Sequence, residues 1–181
     1  MAVFGEIWKE KQVIAGRWTL RDVVQGKPMG HPTHAMLVHF PSALFPVAFV
    51  LYLVSAISAD LTVARAGFYN IGFGLGFAGL AAVTGLVDYV PMLGGKDRRR
   101  LQLGTLHMLT QIAAVALMTG AFVVHAFDYN ATQAPWAAVV LAGAGAAVIG
   151  AGNYLGGLLV YKEGMRVREG DPDTDAGSRV Q

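Results

Sequence analysis

The sequence predicts an all-α protein, a transmembrane four-helix bundle that runs up-down-up-down through a bilayer. Hydrophobic residues make up 54% of the 181 residues and charged residues only 14%, whereas soluble domains are roughly one-quarter charged. The apolar residues form long stretches, and the basic residues lie almost entirely on one side of them. A soluble core this apolar would have no polar surface, so we expect a membrane protein.

The spans follow from the lengths of the apolar stretches, since a helix needs about 20 apolar residues to cross the hydrocarbon core. Pro41 and Pro46 in the first stretch predict a kinked helix. The short connections 60–66 and 128–135 make neighbouring helices antiparallel. The four predicted spans are residues 35–59, 67–90, 103–127 and 136–161.

These spans form one membrane domain, residues 31–165, between an N-terminal arm and a C-terminal tail. The tail, residues 166–181, is polar, and we expect it to be disordered. In the arm, residues 1–30, loosely spaced apolar residues indicate either a short helix lying in the membrane interface or an arm that contacts another subunit. These residues are Phe4, Ile7, Trp8, Ile14 and Trp18.

Orientation follows from the basic residues, which favour the cytoplasmic side of a membrane. Of the 14 lysines and arginines, only Arg65 falls in a short connection. The others lie in the arm, in the middle connection or near the C-terminus. We therefore expect the N-terminus, the middle connection and the C-terminus to lie in the cytoplasm.

Composition also limits the chemistry. The chain has no cysteine, which excludes disulfides, thiolate metal sites, iron–sulfur clusters and covalently attached haem. No basic and aromatic groove for a nucleic acid is visible, so the expected partners are the lipid bilayer and other membrane or redox subunits. Without a recognisable nucleophile setting or paired carboxylates inside the spans, we do not expect the chain to be catalytic alone.

Glycines are dense in the second and fourth spans. Gly72 with Gly76, and Gly152 with Gly156, have the four-residue spacing that lets helix backbones approach closely. Close helix packing explains this pattern. The alternative is that glycine faces make room for a flat cofactor between helices.

Four of the five histidines and one buried acid gather at the predicted cytoplasmic end. His39 and His107 lie about one helical turn inside the first and third spans, and Asp88 lies at a similar depth in the second. His31 and His34 precede the first span. His125 follows His107 by 18 residues, which places it roughly 27 Å away at the outer end of the same helix.

Such a set suits a metal cofactor. Diagonal helices in a bundle are about 13 Å apart, which leaves room for two imidazoles around a haem iron. We therefore expect haem b with His39 and His107 as axial ligands, His34 as a substitute for His39, and Asp88 orienting them. Two alternatives stay open. The five residues His31, His34, His39, Asp88 and His107 could bind a bare Zn, Fe or Cu ion, or these groups could hydrogen-bond one another and lock the bundle.

Four segments resemble a bacterial membrane family catalogued as domain of unknown function 2231. The first, GHPTHAMLVHFPSAL, is similar to the family signature GHPxHPxLVHFPIAL, with Ala35 in place of proline. The others are a Gly-Leu-x-Asp segment, a histidine that opens the third span, and a GGxLVYxxGxGV segment, from which Met165 to Val167 depart. In this chain they are residues 30–44, residues 85–89, His107 and residues 156–167.

The resemblance implies a four-span protein associated with redox components such as Rieske-type domains. It implies functional roles for His31, His34, His39, Asp88, His107 and Tyr161, and none for His125. Our hypothesis is a small membrane subunit that binds haem b or contacts quinone, and relays electrons or anchors a larger redox complex. The alternatives are a cofactor-free structural or assembly subunit, and a metal-binding membrane protein that uses the same histidines.

Overall fold

The computed structural model describes residues 12–14 and 16–165, and four long helices dominate this part of the chain. Each is long and apolar enough to cross a membrane, by length and composition. The predicted fold class, an all-α bundle of four apolar helices, is confirmed. The first to fourth spans are Thr33–Ser58, Leu61–Leu93, Arg98–Phe127 and Trp136–Tyr161.

The first span is divided near its start. A short helix, Thr33–Leu37, ends at Val38, and the helix His39–Ser58 follows directly. Pro41 has no N–H to donate to the carbonyl of Leu37 four residues earlier, which explains the interruption. Pro46 lies inside the longer helix. The break at Val38 lies at the start of the span, before Pro41, and the helix continues without interruption through Pro46.

The second span begins at Leu61, earlier than the predicted residue 67. Asp60 caps this helix, because its side chain accepts hydrogen bonds from the N–H groups of Thr62 and Val63 at 2.8 and 3.1 Å. Ala59 reverses the chain with a left-handed backbone, φ 53°. The connection between the first two spans is therefore only two residues long, Ala59 and Asp60.

The third span begins at Arg98 instead of the predicted residue 103. Asp97 caps it by accepting a hydrogen bond from the N–H of Arg100 at 3.0 Å. The Arg100 side chain donates to the backbone carbonyl of Glu163, and Arg99 forms an ion pair with the Glu163 carboxylate at 3.1 Å. These contacts tie the start of the third span to the segment that follows the fourth.

The spans are arranged in a ring. The first packs against the second and the fourth, and the third packs against the same two neighbours, so the first and third spans are diagonal, as predicted. Small side chains fill the centre and let the helices approach closely. The fully buried core residues are Phe45, Ala48, Tyr52, Ala64, Ile71, Ala114, Met118, Ala121, Ala134, Ala138 and Ala142.

The arm folds onto the bundle. A two-stranded hairpin of Gln12–Ile14 and Trp18–Thr19 leads into a short helix, Leu20–Val24, and a 3-10 turn, Lys27–Met29. Of the residues behind the predicted interfacial helix, Phe4, Ile7 and Trp8 lie outside the described residues, and Ile14 lies in the hairpin. The predicted disordered tail, residues 166–181, also lies outside them.

Candidate functional site

The third span carries two histidines on one inward stripe. Its inward positions recur at alternating intervals of four and three residues, the heptad spacing of helices that pack along a common seam. His107 and His125 are the two ends of this stripe, so one histidine faces each end of the bundle interior. The stripe consists of His107, Gln111, Ala114, Met118, Ala121 and His125.

His34 reaches from the first span to the second. Its Nδ1 lies 2.8 Å from the backbone carbonyl oxygen of Ala81. Because a carbonyl only accepts, Nδ1 carries the proton and donates it. Thr84 Oγ1 lies 3.4 Å from the same nitrogen. Gly85 makes room for the ring, since a Cβ at this position would lie 2.7 Å from His34 Cε1.

His107 makes the same contact between the third and fourth spans. Its Nδ1 donates to the carbonyl oxygen of Gly152 at 2.8 Å, and a Cβ on Gly156 would lie 3.0 Å from His107 Cε1. Each imidazole thus lies against a glycine of a neighbouring span and is oriented by a backbone carbonyl. This arrangement fixes the tautomer of both rings.

The two imidazoles come together near one end of the bundle. Their ring centroids are 6.4 Å apart, and the ring planes are nearly perpendicular, at 87°. With the proton on Nδ1, each Nε2 has a lone pair. Within residues 12–14 and 16–165, neither Nε2 makes a hydrogen bond. The pair therefore presents two oriented ring nitrogens, one from the first span and one from the third.

Asp88 and Gln25 close this end of the bundle above the imidazoles. Asp88 lies on the inward face of the second span, one turn beyond Gly85, and is 9% exposed. Gln25 from the arm is also buried and donates its Nε2 hydrogen to Asp88 Oδ1 at 3.1 Å. We call these residues, with His34, His107 and Thr84, the polar end.

Asn153 organises a second polar layer one turn deeper than His107. Its Oδ1 accepts hydrogen bonds from Gln111 Nε2 at 3.2 Å and from Ser42 Oγ at 3.3 Å. The Ser42 hydroxyl has a single hydrogen, which is shared between Asn153 and the carbonyl of Val38, 2.6 Å from Oγ. This layer joins the first, third and fourth spans beneath the histidine pair.

The structure brings together some of the residues that the sequence pointed to. His34, His107 and Asp88 all belong to the polar end, whereas His31 and His39 are exposed. Tyr161, at the end of the fourth span, is 89% exposed. Across the described ranges, no group of three or more His, Asp or Glu side chains could hold a metal ion. In the described residues, the polar end thus brings together the imidazoles of His34 and His107 but not a set of three or more ligands for a bare ion.

The glycines divide into two sets. At Gly74, Gly85, Gly145, Gly152 and Gly156, side chains of neighbouring spans occupy the space that a Cβ would fill. At Gly76, Gly79, Gly150 and Gly157, nothing lies within 4 Å of that point. Close packing, one of the two expected explanations, therefore accounts for the first set.

Comparison with known families decides what kind of protein this is. A family model described as "Predicted membrane protein (DUF2231)" matches residues 30–169. The chain belongs to this family. No curated protein and no solved structure matched it. With four apolar helices, this DUF2231 protein is a multi-pass membrane protein, and both imidazoles of the pair lie within the matched region.

The other end of this DUF2231 bundle is built from aromatic rings. His125 is fully buried, and its ring lies edge-on to Tyr52 and Phe68, with centroids 5.0 and 5.3 Å away. Tyr129, from the connection between the third and fourth spans, lies 6.4 Å away. We call these residues, His125, Tyr52, Phe68 and Tyr129, the aromatic end.

Tyr129 covers His125 and is held from two sides. Its hydroxyl shares a hydrogen bond of 2.6 Å with the hydroxyl of Tyr69, and the guanidinium of Arg65 lies 4.7 Å from the centre of its ring. The hydrogen bond with Tyr69 raises the pKa of the Tyr129 phenol above its usual value. Arg65 donates to Asn130 at 2.8 Å, which fixes the same connection.

Sequence reasoning missed Gln25, the Asn153 layer and the aromatic end. The heptad spacing from His107 to His125 contained the signal for an inward-facing His125. The spacing of Gln111 from His107 likewise predicts a shared face. The arm of this DUF2231 protein has no such periodicity, so nothing in the sequence identified Gln25 as a partner of Asp88.

Proposed function

We propose that this protein is a small redox subunit of a membrane complex, in which His34 and His107 are the axial ligands of a haem b iron. The observation that supports it is the pair of oriented imidazoles, whose centroids are 6.4 Å apart. When bound, haem b would supply a reversible one-electron couple. The chain supplies the two nitrogen donors, their orientation and an apolar bundle around them.

The spacing of the rings suits ligands on opposite sides of one iron. A metal–imidazole nitrogen bond is about 2 Å long, so two trans imidazoles have their ring centres roughly 6 Å apart. Two imidazoles at a tetrahedral angle would be closer, at about 5 Å. The observed 6.4 Å is therefore a separation at which both rings could ligate one iron, if haem b were bound.

The hydrogen bonds at Nδ1 support the same role. A histidine that ligates a metal usually donates its other ring N–H to a carbonyl or carboxylate, which fixes the ring and makes the ligating nitrogen more basic. His34 and His107 both have this bond, to Ala81 and Gly152. Both Nε2 atoms are left with the lone pair that iron needs.

His34 takes the position that the sequence favoured for His39. The short helix Thr33–Leu37 places His34 against the second span, and the exposed His39 lies beyond the break at Val38. In this proposal Asp88 and Gln25 close the site from the end of the bundle. Their hydrogen bond limits access of water to the imidazoles.

A second candidate is a cofactor-free structural or assembly subunit. The tight packing of the same histidines favours it. His34 joins the first span to the second, and His107 joins the third to the fourth, each through a carbonyl hydrogen bond and a glycine contact. In this reading the two rings brace the helices and bind nothing.

We further propose the bacterial inner membrane as the location, with both termini in the cytoplasm. The support is the charge distribution, in which only Arg65 of the 14 basic residues lies at the aromatic end. The polar end then faces the cytoplasm. The proposed partners are the lipid bilayer and other membrane or redox subunits, which would exchange electrons with the site.

The absorption spectrum of the purified protein tests the redox proposal. We expect a reduced-minus-oxidised difference spectrum with a b-type α-band, and loss of that band in His34→Ala and in His107→Ala. His39→Ala is the matched control, because it removes an exposed histidine of the same span, and the band should persist.

The other outcomes separate the alternatives. A colourless protein without bound metal, whose His34→Ala and His107→Ala variants melt at lower temperature, would reject the haem proposal in favour of the structural subunit. Metal detected by elemental analysis in colourless protein would instead indicate the bare-ion alternative.

A further inference from the structure

We propose that the aromatic end contains a second binding site, in which His125 and Tyr52 hold an internal water molecule. The site lies at the opposite end of the third span from His107 and is independent of the redox proposal. It involves two spans directly, since Tyr52 belongs to the first and His125 to the third. Phe68 of the second span lines it.

The polar atoms of these two side chains are buried and have no protein partner. Tyr52 and His125 both have an exposed fraction of 0%. Within the part of the chain that the structure describes, Tyr52 Oη, His125 Nδ1 and His125 Nε2 make no hydrogen bond. Buried polar groups in proteins are almost always hydrogen-bonded, to protein or to ordered water. Three unsatisfied atoms in one place therefore indicate a small polar molecule between them.

A neighbouring side chain shows how a buried hydroxyl at this end of the bundle is satisfied by the protein. Ser55 lies one turn after Tyr52 and is also fully buried. Its Oγ donates to the carbonyl of Asp60 at 2.8 Å and accepts from the N–H of Ala134 at 3.2 Å. Arg65 Nε also lacks a partner among the described residues, but the same guanidinium donates to Asn130. Tyr52 and His125, in contrast, make no side-chain hydrogen bond within the described residues.

The chemistry of the three atoms matches water. A neutral imidazole offers one donor and one acceptor, and a phenol hydroxyl offers both. A buried water typically makes about three hydrogen bonds to otherwise unsatisfied groups, and it both donates and accepts. The centroids of Tyr52 and His125 are 5.0 Å apart. The rings of Phe68 and Tyr129 lie beside His125, with centroids 5.3 and 6.4 Å away.

The covering connection gives this water a route to the surface. Tyr129 closes the site and is held by the Tyr69 hydroxyl, the Arg65 guanidinium and an edge contact with the Phe68 ring. Displacement of Tyr129 would uncover His125 on the side opposite to the histidine pair. The bound water would then exchange with bulk water beside the connection between the third and fourth spans, and the helices would not need to separate.

Radiolytic hydroxyl labelling of the full-length protein tests the site directly. X-rays split water where it is bound, so side chains beside an ordered internal water are oxidised even when they are buried. We expect label from ¹⁸O-water at Tyr52 and His125 well above the level at Phe45, which is equally buried but apolar. Labelling of Tyr52 and His125 at the level of Phe45 would overturn the proposal.

Thermal unfolding of hydroxyl-deletion variants gives a second, independent readout. If water joins the two groups, Tyr52→Phe leaves the water and His125 without a partner, and the unfolding midpoint should fall by roughly 2–6 °C. Tyr154→Phe is the matched control, because it removes the same atom from a ring that is 69% exposed. A midpoint for Tyr52→Phe equal to or above that of the unmodified protein would show that Oη is unbonded, and would also overturn the proposal.

Discussion

The third span carries an inward-facing histidine at each end, His107 at the polar end and His125 at the aromatic end, and the surroundings of these two side chains differ. At the polar end, backbone carbonyls hold His34 and His107 by their Nδ1 atoms at 2.8 Å. At the aromatic end, His125 is fully buried among rings, and neither of its nitrogens has a partner within the described residues. Position on the helix is therefore not what determines the role of each imidazole.

The neighbouring spans make the difference. Glycines opposite His34 and His107 let each ring approach a helix closely enough to reach its carbonyl oxygen. Opposite His125 lie the bulky rings of Tyr52 and Phe68, which keep the imidazole away from any backbone. A glycine on the neighbouring span thus lets a histidine donate a hydrogen bond to the backbone of that span. Where the neighbouring residues are aromatic, the histidine makes no such bond, and a small molecule could bind to it.

The largest effect is expected from a second carboxylate at the polar end. Gln25→Glu would place two buried carboxylates within hydrogen-bond distance of each other, and an uncompensated buried charge costs about 3–5 kcal/mol. We expect the arm to detach from the bundle. Limited trypsin digestion after Arg17 and Arg21 measures this detachment. The control is Gln102→Glu, which makes the same change on the exposed face of the third span. Trypsin should cleave this variant no faster than the unmodified protein.

The glycine contacts at the two ends come next. A Cβ at Gly85 would lie 2.7 Å from the His34 ring, and one at Gly67 would lie 2.5 Å from the Tyr52 ring. We expect Gly85→Ala and Gly67→Ala each to destabilise the bundle by about 1–3 kcal/mol through overpacking, visible as lower melting temperatures. Gly79→Ala faces open space and should be neutral or slightly stabilising, because alanine favours helix. Equal effects at all three positions would contradict the division of the glycines.

A smaller difference in stability is expected between substitutions of Asn153, near the polar end, and of Asn70, in the second span. Asn153 accepts hydrogen bonds from two other spans, whereas within the described residues the Asn70 side chain donates to Ala66 of its own helix. We expect Asn153→Leu to lower the stability by about 1 kcal/mol, because Gln111 loses its acceptor while Ser42 keeps its bond to Val38. Asn70→Leu should have almost no effect. Chemical unfolding of both variants in one detergent compares them, and equal losses would show that the Asn153 layer adds nothing.

The smallest effect is a pH dependence confined to the arm. Hydrogen bonds from Lys27 and Thr19 lower the pKa of Asp22 from 3.8 to about 2. Because the folded pKa is the lower one, this stabilisation is complete above about pH 4 and is lost as the pH falls toward 2. The hydrogen-exchange protection factors of residues 19–27, which correct for the intrinsic pH dependence of exchange, should fall over that range. In Asp22→Asn the protection factors should already be low at pH 5 and should not change on acidification.

The sequence predicted the scaffold well because membrane spanning is encoded in composition. Long apolar stretches, prolines in the first span and one-sided charges are visible without any tertiary contact. The predicted helix starts were too late at the second and third spans, since polar caps such as Asp60 and Asp97 recruit residues that hydropathy leaves out. Caps depend on side-chain hydrogen bonds, which an apolar count does not register.

The site was predicted less completely. The depth of His107 and Asp88 was visible from residue counting, but the choice between His34 and His39 was not. That choice depends on the break at Val38, which changes which side of the first span each histidine faces. Partners of His34 and His107 are backbone carbonyls, and no residue type marks a carbonyl as an acceptor. Gln25 comes from the arm, where periodicity gives no information.

The two-residue turn at Ala59 and Asp60 has a consequence for how the protein enters its membrane. So short a connection keeps the ends of the first and second spans together, and we expect these spans to insert as one helical hairpin. The third and fourth spans are joined by the longer segment 128–135, so we expect them to insert more independently. A lengthened first turn should therefore slow insertion of the first half of the chain, while a similar insertion at residues 130–133 should be tolerated.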